Sequence, residues 1–335
     1  MHIPDHVLSQ PVLIASGAIA LGGFSLGLKR LERRLRDRTV VLMGIMAAFV
    51  FAAQMVNFPL LVLPASGHLI GGVLAAVMLG PWAGAVVMGT VLLVQCLLFA
   101  DGGILALGAN FVNLGLIASV GGYAIYDPIR RGVGGRAGVM LGAMVAAWFS
   151  VLLASLAFAI ELAGSGWWEQ LPEVLGWMAL VHAAIGLGEA MITGLVLRSV
   201  LAVRPDLIFG VVEQGDAPPR WGRVALAGLG VALAVAAFLA PMASPLDDGL
   251  EFVGGRLGFL SGEEPAMISG PMADYSLKGL PDIAPVTAAA GLIGTVTVFA
   301  AGWFLGRAST GIASRLERSP EGPRSGGEGP EPHAA

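Results

Sequence analysis

Long apolar runs alternate with short polar stretches along this chain, and each run approaches the roughly 20 residues a helix needs to cross a bilayer. The pattern predicts an all-α integral membrane protein of about nine transmembrane helices. The first covers about residues 11–28 and the second about 39–57. From His68 to Ala100 the chain stays mostly apolar but is broken at Gly80-Pro81-Trp82, which reads as two short passes. The other five fall at about 105–126, 139–162, 175–201, 224–239 and 284–305. Small residues four apart, as in Gly67 and Gly71 or Gly80 and Gly84, predict close approach of helix backbones.

Charge orders these passes. Six basic residues lie between Lys29 and Arg38, and basic loops stay in the cytoplasm. Met1 is therefore expected outside, and His68, which follows the second pass, on the same face. Two passes between His68 and Ala100 put Arg130, Arg131 and Arg136 inside, whereas one would strand them outside. On this layout 17 of 19 Lys and Arg residues are cytoplasmic, and only Arg256 and Lys278 lie outside. The expectation is a multi-pass protein of a bacterial-type inner (plasma) membrane, embedded in lipid, with its C-terminus in the cytoplasm.

Composition agrees with a membrane setting. The chain has 335 residues, 56% hydrophobic and only 13% charged, where soluble domains carry about 25% charge. Its net charge of −4 gives no hint of a nucleic-acid partner. The single cysteine, Cys96, excludes an internal disulfide and sits in an apolar run, where packing is expected of it. No basic segment precedes the first apolar run, so no cleavable signal peptide is expected and the N-terminus is read as mature. Trp167 and Trp168, in an outer loop, are of the interfacial-belt kind. Residues 206–223, with PPRWGR, read as a cytoplasmic linker, 241–283 as a long outer loop, and 307–335 as a disordered cytoplasmic tail.

The opening MHIPDH carries the most suggestive chemistry. A free α-amine, the amide nitrogen of residue 2 and that residue's imidazole can close two fused chelate rings in one plane. Met1 and His2 thus offer three nitrogens, and His68, in PASGHLIGG, could supply the fourth. Four nitrogens in a plane suit Ni(II) or Cu(II) better than Zn(II), which prefers a tetrahedron. On these residues alone, an incidental Met-His start remains the competing reading.

Other polar residues stand in apolar surroundings, where ionisable groups are costly. His182 and Glu189, seven apart in VHAAIGLGEA, fall nearly on one helix face. His182 reads as a second-sphere or transit group for the ion or as a buried hydrogen-bonded histidine. Glu189 reads as a contact for a partner membrane subunit or as an internal hydrogen-bonding group. Asn110 and Asn113, with Asp101 and Gln95 nearby, either orient the N-terminal segment or cap and join helices. His6 is a solvated neighbour or an extra ligand, and His333 belongs to the tail. There is no P-loop, H-E-x-x-H or C-x-x-C, so ATP hydrolysis, zinc proteolysis and thiol redox chemistry find no support in this chain.

MHIPDH, ASGHLIGG, MLGPWAG, LLVQCLLFADGGILALGAN and HAAIGLGEA, in this order, resemble the NikM/CbiM family over about residues 1–205. These are substrate-capture components of energy-coupling factor transporters for nickel or cobalt. The C-terminal unit, about residues 224–306, with SPLDDGLE between two spans, resembles the NikN/CbiN-type accessory subunit, whose loop typically reads PDGLE. The whole chain therefore resembles a fused NikMN protein.

The resemblance implies a vitamin-uptake-like bundle with an extra N-terminal helix and a two-helix C-terminal unit. Its implied ligands are the Met1 amine, the His2 amide and imidazole nitrogens and the His68 imidazole, and its implied partners a transmembrane coupling subunit and two ATPase subunits. Ni(II) is the favoured cargo, since MHIPD rather than the cobalt-like MHIME opens the chain; Co(II) is the main rival. His6 stands where the family usually has Gly, and Asp247 where PDGLE has proline. Two readings of other classes are an intramembrane metalloenzyme, for which no general base is evident, and a purely structural subunit.

Overall fold

The computed structural model describes residues 1–32, 37–211, 221–260, 267, 269–277, 279–281 and 283–317. The linker residues 212–220, Lys278, Asp282, and the tail from 318 with His333 lie outside the described residues, as do residues 33–36 of the basic loop.

The main helices are α1 (Gln10–Glu32), α2 (Asp37–Gln54), α3 (Gly72–Leu79), α4 (Pro81–Val94, prolonged by a wide π-type turn to Phe99), α5 (Leu107–Asn110), α6 (Gly122–Val133), α7 (Gly135–Leu162), α8 (Leu171–Val203), α9 (Trp221–Ala234), α10 (Gly249–Leu257) and α11 (Ala284–Glu317). The π-type segment Phe111–Gly121 joins α5 and α6 into one long rod. A two-residue hairpin pairs β1 (Phe58–Pro59) with β2 (Ser66–Gly67).

Among the described residues, seven helices are long and apolar enough to cross a membrane, and Arg38–Gln54 is a shorter apolar helix. The first of the two short passes expected between His68 and Ala100 is a helix of only 8 residues, α3. At about 1.5 Å per residue it rises about 12 Å, less than half a bilayer core. Gly71 (φ +81°) starts it and Gly80 (φ +90°) ends it, both in backbone conformations that favour glycine. All eight residues of α3 are buried, and a Cβ on Gly84 would meet the backbone of Ala76, so α3 and α4 touch backbone to backbone.

The expected tail boundary is corrected by α11, which runs unbroken to Glu317, so residues 307–317 are helical. The expected outer loop is not featureless either, because α10 lies within it. The C-terminal unit leans on α2, where Ala48 and Ala52 meet Ala232 and Ala236. Its loop reaches the hairpin, where the backbone N–H of Ser66 donates to the carbonyl of Asp247 at 2.7 Å. Trp167 packs edge-on against Phe259 of this loop, while Trp168 stays exposed.

Candidate metal centre

The N-terminus is built into the protein. Met1 is 4% exposed and Ile3 is fully buried. Asn110 holds the strand in register: its Oδ1 accepts the Ile3 N–H at 2.7 Å and its Nδ2 donates to the Ile3 carbonyl at 3.0 Å. The buried Asp5 carboxylate accepts the N–H of Leu105 at 2.9 Å. Of the two alternatives for the asparagines, Asn110 orients the N-terminal segment, whereas Asn113 joins helices by donating to Glu161 at 2.8 Å. His6 is exposed with φ +75°, a conformation that glycine adopts freely.

His68 is placed just as firmly. It lies on irregular, buried backbone, tolerable only where neighbouring protein supplies the hydrogen bonds. Glu189, wholly buried on α8, accepts the N–H groups of Ile70 and Gly71 at 2.5 and 2.8 Å. Gln54 donates to the Ile70 carbonyl at 2.8 Å and accepts from Gln95 at 2.8 Å. Glu189 thus has an internal role that sequence reading left open.

The two halves meet. The Met1 amine lies 2.7 Å from His68 Nε2, and the His2 and His68 rings stack at 5.3 Å with planes 7° apart. His68 Nδ1 lies 3.0 Å from the Leu69 carbonyl, which can only accept, so Nδ1 carries the proton and Nε2 a lone pair. Metal–nitrogen bonds of about 2 Å place adjacent corners of a square about 2.8 Å apart, close to the amine–His68 separation. His2 departs from the expected chelate, which needs its Nδ1: that atom faces Asp101 Oδ1 at 2.9 Å, and Nε2 is buried without a partner. Among the described residues no three His, Cys, Asp or Glu side chains form a metal cage by themselves.

Two carboxylates flank these nitrogens. Asp248 contacts the Met1 amine with Oδ2, while its Oδ1 caps α10 by accepting the N–H groups of Leu250 and Glu251. Glu251 returns the bond to the Asp248 N–H at 2.9 Å, so the D-G-L-E run is a capping box. Gly249 is required by close approach, since a Cβ there would crowd Ile185 and His182. Burial raises the Asp248 carboxyl, but the amine and His68 outweigh it and hold it well below the usual carboxylate range. Asp101 is likewise raised by burial and held low overall by His2 and by the Tyr275 hydroxyl, which donates to Oδ2 at 2.6 Å. Burial, then the N-terminal charge and His2, push His68 down to about 3, leaving it neutral and able to coordinate.

Sequence reading did not assign roles to Asp5, Gln54, Asp248 or Tyr275. For Asp248 a signal was present, because D-x-x-E is a helix-start pattern.

Fold and site together define a multi-pass α-helical membrane protein whose own N-terminus is folded into its interior beside a histidine. A family model described as "CbiM: Cobalt uptake substrate-specific transmembrane region" matches residues 2–207, and the PDGLE domain matches residues 222–310. The chain belongs to this CbiM family, the NikM/CbiM type of metal-transport component, in its fused form.

A chain of Archaeoglobus fulgidus named as a fused nickel transport protein NikMN is 39% identical over 319 residues, spanning 92% of this chain and 98% of that one. The fused nickel transport protein NikMN of Rhodobacter capsulatus is 30% identical over 225 residues, 62% of this chain and 64% of that one. A solved structure described as a truncated transition metal transporter is 32% identical, with a TM-score of 0.54 over 60% of this chain and 99% of that one.

Proposed function

We propose that this chain is the ion-capturing component of an ATP-driven energy-coupling factor importer, taking Ni(II) from the outer face in a planar four-nitrogen site. The ligands are the Met1 amine, the His2 amide and imidazole Nδ1, and His68 Nε2. The observation that carries this reading is the buried amine 2.7 Å from a His68 Nε2 lone pair. In this reading the chain crosses the membrane nine times with Met1 outside. On the same reading a transmembrane coupling subunit and two ATPase subunits supply the energy, which the PDGLE domain and the likeness to a fused NikMN chain support.

Loading has a definite local cost. His2 Nδ1 must leave Asp101 and the amine must leave Asp248 before both face the ion. The His2 amide must also lose its proton, so binding releases protons and strengthens with pH. Co(II) is the second cargo, favoured by the cobalt description of the matching family.

The test is metal content and the visible spectrum of protein with an unextended N-terminus, loaded separately with Ni(II) and Co(II). A yellow planar Ni(II) species that disappears on adding one residue before Met1, and in His68→Ala, is the expected result. Planar binding that survives both changes would overturn the site.

A further inference from the structure

His182 has not been used by the capture site, yet it is built like a metal ligand. It is 1% exposed, on the buried face of α8. Its Nδ1 lies 2.9 Å from the Met178 carbonyl, so Nδ1 carries the proton and the Nε2 lone pair is free. That Nε2 is buried and has no hydrogen-bond partner. An orphaned imidazole nitrogen inside a membrane protein calls for an occupant.

The space for one is present. A cavity of about 10 Å³ is lined by Met1, His68, His182 and Asp248 together with Gly67 and Gly249. That is about the volume one water, or one bare metal ion, requires. Gly249 keeps the space open on the side of His182, since a Cβ there would lie 3.1 Å from Nε2. His68 and His182 share one tautomer, each with Nδ1–H on a backbone carbonyl and a lone pair on Nε2; that of His68 faces the Met1 amine, and that of His182 has no partner. Two neutral imidazoles and a carboxylate line this one space, donor types that suit a divalent first-row ion with a tetrahedral preference, although at their present separations they do not close a three-ligand cage.

We propose that His182 and His68 form a second ion station, which receives the metal from the capture site when the N-terminal nitrogens let go. His68 belongs to both stations and moves least. Asp248 or a water completes the second one. The ion passes as a divalent cation with no change of oxidation state, trading the amine and the His2 nitrogens for the His182 imidazole. The deprotonated amide recovers its proton from solvent. This proposal rests on the capture-site reading.

The test removes the capture site and asks what remains. Two chains are prepared in detergent, one with an extra residue before Met1 and one carrying His2→Ala, and each is titrated with Co(II). Both are expected to bind Co(II) at least roughly tenfold more weakly than the unaltered chain, with the intense blue bands of a tetrahedral ion. Adding His182→Gln to either is expected to abolish those bands while the helical circular dichroism and melting temperature persist. The second station is overturned if neither chain binds Co(II), or if binding is indifferent to His182→Gln, in which case the cavity holds water. The planar Ni(II) spectrum of the unaltered chain, measured alongside, decides the capture site separately.

Discussion

The Glu189 carboxylate, on the eighth helix, holds the backbone N–H of Gly71 at 2.8 Å and that of Ile70 at 2.5 Å, directly after His68. A fully buried acid thereby substitutes for the hydrogen bonds that irregular backbone cannot find in lipid. It fixes the height and direction of the histidine through two main-chain contacts.

Glu189→Ala strands both donors, at about 1–3 kcal/mol each. The melting temperature of the purified protein is expected to fall steeply, and metal stoichiometry to fall with it because His68 loses its seat. Glu189→Gln retains one acceptor and should lie between the two. Equal melting temperatures for all three chains would contradict this role.

Asn110→Ala removes both hydrogen bonds to Ile3 without touching a proposed ligand. The expected outcome is metal affinity weakened about 10–100-fold, as for other groups that orient ligands, and faster protease cleavage within residues 3–8. Titration and mass-resolved proteolysis check the two effects independently.

Asp248 serves the amine and the start of α10 with one carboxylate. Asp248→Ala is expected to cost about 1 kcal/mol through the lost cap alone, and more through the buried amine it leaves unpaired. Asp248→Asn keeps one oxygen for the cap and should recover part of the loss. Thermal melts at neutral pH compare them.

The contribution of His68 to the stability of the metal-free protein should fall on acidification. Burial lowers His68 from 6.5 to about 3, so between these values the unfolded chain binds a proton that the folded chain refuses. The stabilisation is fully present above pH 6.5 and is lost as pH drops toward 3, by at most about 1.4 kcal/mol per unit. Asp101 and Asp248, both held below 3.8, extend the loss at the acid end. His68→Asn should flatten the upper part of the profile, as read from chemical denaturation at stepped pH.

How the site became legible differs from residue to residue. Met1, His2 and His68 stood out because fused chelate rings depend on local covalent order, and because the basic residues at 29–38 predict that both segments lie on one face. The apolar runs marked the helices because a spanning segment must satisfy its own backbone. The run before Gly80 is a wholly buried helix of only 8 residues, and its shortness was not legible because buried and lipid-facing apolar residues look alike in sequence.

What the sequence by itself determined was therefore the membrane class, the apolar helices and Met1, His2 and His68 as candidate ligands. The tertiary structure decided which polar residues serve it. Asp248 reaches Met1 across 247 positions and Glu189 reaches Gly71 across 118. Such pairings depend on which helix faces meet, and between helices in lipid that choice is made by close packing of small residues and by buried hydrogen bonds; a four-residue spacing of small residues marks a packing face but does not name its partner.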